Sequence, residues 1–223
     1  MMTNLFSVFD PSSSFFHFSL NWVSLLVVTL VLICSFWVST SRSSVIFSSP
    51  LKSLMPEMKV LVPDYNFRVI LFPLSLFMFI LLNNIMGLLP FVFTGTSHLS
   101  VTLSLSLPLW VGFMLYGFLN NTMSNLSHLV PQGTPPLLMP FMVIIETISN
   151  MIRPLTLAVR LAANMIAGHL LMALLGGAMD ILSLGSVMGV GAGLILLIIL
   201  ESAVAMIQAY VFSTLVMLYI SEV

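Results

Sequence analysis

Residues 136–175 read PLLMPFMVIIETISNMIRPLTLAVRLAANMIAGHLLMALL, a run with no polar loop that nevertheless carries Glu146, Arg153 and Arg160. As a helix at about 1.5 Å per residue it would be about 60 Å long, twice the ~30 Å hydrocarbon thickness of a bilayer. Residues 181–221 pose the same problem. Neither run divides into two upright spans, because the only interior candidates for a connector, Arg153-Pro154 and Glu201-Ser202, are too short and poorly placed. The remaining solution is inclination. Fitting about 60 Å into about 30 Å needs a tilt of roughly 60°, against an average of about 20° for spanning helices. The spacing therefore predicts two long, strongly tilted antiparallel helices, shaped to lie along something curved. Gly176-Gly177 and then Asp180 supply a C-cap and an N-cap for the break between them.

Composition agrees with a membrane setting. Charged residues make up 6% of the 223 and apolar residues 59%, where a soluble domain carries about 25% charge. Mean hydropathy is +1.16. The apolar runs show no strand-like alternation, so the expected fold class is an all-α polytopic membrane protein. A net charge of −1 leaves no basic face for nucleic acid. The single cysteine, Cys34, lies inside the first apolar run, which excludes a disulfide framework and zinc-type spacing. The start, MMTNLFSVFDPSSSFF, has no basic residue and resembles neither a cleaved signal nor a transit peptide. With no repeat and no soluble appendage, residues 1–223 read as one membrane domain.

Working outward, residues 15–38 form a first span edged by Trp22 and Trp37, entered through the turn at Asp10-Pro11. Residues 39–68 hold four of the six basic residues, Arg42, Lys52, Lys59 and Arg68. By the positive-inside rule this segment faces the cytoplasm or the mitochondrial matrix, with the N-terminus opposite. Its mixed pattern and two prolines suit a segment lying on the membrane surface. Residues 69–119 make a helical hairpin around the turn FVFTGTSH, with Asn83 and Asn84 deep in its first arm and expected to hydrogen-bond a neighbouring helix. Residues 120–135 form a polar connector ending in a Gly-Thr-Pro-Pro turn.

The functional candidates lie on the two long helices. At about 100° per residue, Asn150, Arg153, Arg160 and Asn164 all fall within about 40° of Glu146, one polar stripe on an apolar helix. Glu201 and Gln208 share a face of the last helix, with Glu222 near its end. His169 points away from Arg160, toward a different neighbour, for which Glu201 on the returning helix is a candidate. An ionised group at mid-membrane costs at least about 2.5–3.5 kcal/mol, and arginine cannot escape by deprotonating. Static pairs, Glu146 with Arg153 and Glu201 with Arg160, are one reading. Arg153, beside Pro154, suits it as local support. Arg160, flanked by LTLAV and LAAN, is better explained by a partner's carboxylate that comes and goes. His169 and Glu201 can change protonation with modest shifts of environment, as a relay requires. Titratable groups on both sides of one fixed cation suggest two access paths that must not communicate.

The stretch RPLTLAVRLAANMIAGHLL, preceded by LVPQGTPPLLMPFMVIIETISNMIRP and followed by LESAVAMIQAYVFSTL, closely resembles the subunit a family of F-type ATP synthases, in its animal mitochondrial form. The resemblance covers essentially the whole chain. It implies a proton-translocating stator subunit that makes no ATP itself and needs no cofactor, in the mitochondrial inner membrane. The N-terminus would lie in the intermembrane space, and the basic segment and C-terminus on the matrix side. The implied partners are the carboxylates of a c-ring, other stator and membrane subunits, the bilayer and protons. Arg160 would face the ring carboxylates. His169, Glu201, Asn164 and Gln208 would belong to the intermembrane-space path, and Glu146 and Glu222 to the matrix path, with Arg153 and Asn150 as possible support. Two other classes fit less well. A haem protein would need facing histidines, and only His17 and His169 of the four lie in long apolar segments; a standalone transporter would show inverted repeats. No GxxxxGK[ST] loop is present for nucleotide.

Overall fold

The computed structural model describes residues 5–12, 18–33, 42–61, 67–89, 92–120, 122–130, 135, 138–179 and 184–222. The described residues are helical, with no strand among them. A 3-10 turn, Leu5–Phe9, and a second one at Leu20–Trp22 precede α1 (Val23–Ile33). Then come α2 (Arg42–Leu61), α3 (Phe67–Gly87), α4 (Leu99–Asn120), a short α5 (Thr122–His128), α6 (Met139–Met179) and α7 (Leu184–Glu222). Among the described residues four helices are long and apolar enough to cross a membrane: α3 over Val69–Gly87, α4, α6, and α7 over Val187–Ser221.

The two long helices are present at 41 and 39 residues, about 60 Å each at 1.5 Å per residue. The expected break at Gly176-Gly177 does not occur. Helix α6 continues through both glycines to Met179, because where backbone polar groups have no water to turn to, the helical bond is the favoured partner even for glycine. The capping role given to Asp180 falls outside the described residues, as do Cys34, Trp37, His17 and, of the Gly-Thr-Pro-Pro turn, Gly133, Thr134 and Pro136. The connector 120–135 is not wholly irregular, since Thr122–His128 is helical. Of the first span only α1 is described as α-helix, preceded by the turn at Leu20–Trp22.

The basic segment folds as a 20-residue helix, α2, despite Pro50 and Pro56 inside it. Its apolar side docks through Leu54 and the fully buried Met58 onto α3 and α7, while Lys52 and Lys59 stay exposed. The core lies here, at one end of the helix pair. Ile70, Leu74, Phe77, Met78 and Ile80 of α3 pack against Ala209, Phe212, Val216, Met217 and Ile220 of α7, with Leu157 and Leu161 of α6 alongside. Two polar bonds tie α7 to its neighbours: Asn84 Nδ2 donates to the Ala205 carbonyl at 3.5 Å, and Tyr210 Oη donates to Glu57 Oε2 at 3.1 Å. Asn84 thus reaches across to another helix, whereas Asn83 turns back to the Phe79 carbonyl of its own, at 2.9 Å.

Helix α6 has two contrasting faces. Pro154, Leu157, Ala158, Leu161, Ala162 and Met165 are buried. Rotated away from them, Thr156, Arg160, Ala163, Ala167, Leu171 and Leu174 form an exposed stripe. An exposed apolar surface of that length is what a lipid or protein neighbour covers.

Candidate functional site

Three side chains define the site by what they lack. Arg160 is exposed on the apolar stripe of α6 and makes no hydrogen bond or ion pair with any described residue. Glu201 is only 5% exposed, and neither carboxylate oxygen has a hydrogen-bond partner among the described residues. His169 likewise buries its Nε2 without a partner. A buried polar atom left unpaired costs about 1–3 kcal/mol, so each such atom calls for a reason, and transient water or a moving proton is one.

The local sequence explains how Glu201 comes to lie where it does. It sits on the buried face of α7, one turn from the buried Ala205 and two from the buried Ala209. On α6 the facing residue is Gly168. A Cβ built at Gly168 would collide with the Glu201 carboxylate. Glycine here makes the space the carboxylate occupies. The carboxylate is therefore lodged against the residue next to His169, yet the two side chains do not bond to each other. Asn164 and Gln208, half-buried on the same two helices, flank this interface. The static Glu201–Arg160 pair considered from sequence is absent.

The other arginine behaves differently. Arg153 Nη2 lies 3.7 Å from Glu146 Oε1, two turns away on α6, with both side chains about one-third exposed. Its guanidinium also sits 5.9 Å from the centre of the Tyr219 ring on α7. Asn150, half-buried, shares this end of the stripe. Its carbonyl loses its usual helical donor, because Pro154 has no N–H. Glu222 closes α7, and its side chain falls outside those described.

Sequence reasoning missed a second polar group at the hairpin turn. Thr94, Thr96 and Ser97 are at most 4% exposed, and Thr96 Oγ1 and His98 Nε2 have no partner. The turn packs on α6, and Trp22 and Phe93 stack around His98 at 5.1 and 5.2 Å. Three hydroxyls in the turn FVFTGTSH were the available signal. Phe9, whose ring meets His169 edge-on at 6.4 Å, gave none. Among the described residues, no three His, Cys, Asp or Glu side chains converge as metal ligands would.

Comparison with known proteins gives a consistent result. A family model described as ATP synthase A chain matches residues 21–221. The chain is 54% identical over 224 residues to ATP synthase subunit a of Locusta migratoria, and 56% over 225 residues to that of Drosophila melanogaster. With the Anopheles gambiae protein it shares 53% over 229 residues; in all three cases the match covers 100% of both chains.

Proposed function

The chain belongs to the ATP synthase subunit a family, and from that premise we propose that it supplies two offset proton half-channels, separated by Arg160, that couple proton flow to rotation of a c-ring. It is a multi-pass subunit of the synthase membrane sector, whose partners include other subunits of that complex. ATP is made elsewhere in the complex.

One observation carries the reading: Arg160 is a permanent cation on an exposed, largely apolar stripe, and among the described residues no carboxylate pairs with it. A guanidinium in such a place calls for an acid from outside the chain, and the carboxylates of a ring passing along the stripe provide one. An opposite charge within about 4–6 Å favours the ionised form of an acid, so a ring carboxylate beside Arg160 gives up its proton there. His169, turned away from Arg160 on α6, and Glu201 of α7, with Asn164 and Gln208, deliver protons from the intermembrane space. Glu146 and Glu222 open toward the matrix, with Arg153 and Asn150 in support. Each proton crossing is worth about 2.3 kcal/mol per 100 mV, but only if it cannot slip between the two paths without moving the ring. Arg160 is the barrier to slippage. The setting is the mitochondrial inner membrane, with the basic helix α2 and the C-terminus facing the matrix. Arg160→Ala is expected to abolish proton-driven ATP synthesis in the assembled complex; synthesis at the parent rate would refute the assignment.

A further inference from the structure

The intake path needs an opening to the outer aqueous phase, and one residue packed against His169, Phe9, comes from the start of the chain. The 3-10 turn Leu5–Phe9 packs on α6 and lays Phe9 edge-on against His169. Immediately after it stands Asp10, exposed, its Oδ1 accepting the Ser12 backbone N–H at 3.0 Å. Asn21 Nδ2 clamps the segment by donating to the carbonyls of Asp10 at 3.1 Å and Ser12 at 3.5 Å. The next residue, Trp22, stacks on His98 of the hairpin turn. The segment is thus pinned between the two histidines whose Nε2 atoms are buried and unpaired.

Charge placement adds an independent argument. None of the six basic residues precedes Arg42, and none lies in the hairpin turn 88–98 or between Arg160 and the C-terminus. In the orientation proposed above, on which this inference rests, the described outer face carries Asp10 and no lysine or arginine. An uncompensated carboxylate at the mouth of a low-dielectric cleft raises the local concentration of cations, protons included.

We propose that Leu5–Ser12 forms the outer mouth of the proton intake, with Phe9 as the wall beside His169 and Asp10 as a positioning residue whose fixed negative charge gathers protons at the opening. The Ser12 N–H holds the Asp10 carboxyl below the usual carboxylate range, so the charge persists across working pH. The titratable groups nearest the mouth are His169 on α6, reached past Phe9, and His98, reached past Trp22.

The test uses intact synthase in sealed vesicles, with proton-driven ATP synthesis measured against outer pH and ionic strength. Asp10→Asn keeps an oxygen for the Ser12 N–H and removes only the charge. Its rate should fall about two- to threefold at alkaline outer pH and low salt, converge on the parent at high salt, where a charge effect is screened, and be restored by Asp10→Glu. A rate equal to the parent under every condition, or a deficit indifferent to salt and pH, would overturn the proposal. An Arg160→Ala complex run in parallel separates the two levels. If it loses coupling while Asp10→Asn behaves as the parent, only the mouth is wrong. If it still couples, the channel reading beneath it fails as well.

Discussion

The two arginines of α6 lie two turns apart on nearly the same face and inhabit different worlds. Around Arg153 polar groups are partnered: Glu146 at 3.7 Å, the Tyr219 ring at 5.9 Å, and Tyr210 with Glu57 further along α7. On the orphaned side they are not: the Arg160 guanidinium, both Glu201 oxygens and His169 Nε2 have no partner among the described residues. Partnered groups of this kind serve the packing of the helices that carry them, as where Arg153 of α6 meets the Tyr219 ring of α7. Orphaned ones are tolerated at a cost that stability alone does not explain, so their use must come from something passing by.

The largest expected effect breaks the orphaned side. Arg160→Lys keeps a nominal charge but can lose its proton when desolvated and lacks the planar fork; proton-driven ATP synthesis should drop to background, and a lysine variant that couples normally would mean charge alone suffices. Next is Gly168→Ala. Because the obstructing atoms are the free end of the Glu201 side chain, the carboxylate can move aside and the complex should still assemble. If Glu201 carries protons as proposed, displacing its carboxylate by about 1 Å is expected to slow transport about 10- to 100-fold, read as proton-driven synthesis at unchanged subunit content. If transport is normal, the lodging of Glu201 against Gly168 is incidental.

On the partnered side the effects shrink. Arg153→Gln removes a one-third exposed ion pair and a ring contact, together about 1 kcal/mol of stability, and should leave the synthesis rate within about twofold of the parent. A loss as deep as that of Arg160 variants would erase the distinction between the two arginines. Tyr210→Phe is the smallest change: it removes one exposed hydrogen bond between α7 and α2, and neither thermal stability of the complex nor its rate should move appreciably.

The same contrast explains what could be read in advance. The long helices were legible because hydrocarbon thickness is a ruler, and uninterrupted runs twice its length have few solutions. The stripe through Glu146, Arg153 and Arg160 followed from helical periodicity, and the Glu146–Arg153 pair with it. The continuation through Gly176-Gly177 was misread because capping preferences come from helices whose ends meet water. Contacts between distant segments left no local trace. Tyr210 reaches a glutamate 153 residues away, and Phe9 reaches His169, with nothing in either neighbourhood to announce it. Gly168 looked like one more small residue until α7 was placed against it.

The most direct test of the central claim is the position of the Arg160 guanidinium in a structure of the assembled membrane sector with its ring. The account predicts a ring carboxylate within about 4–6 Å of it, with His169 turned to the far side of α6. An Arg160 that instead faces lipid, or closes onto a carboxylate of its own chain while the ring carboxylates pass elsewhere, would contradict it.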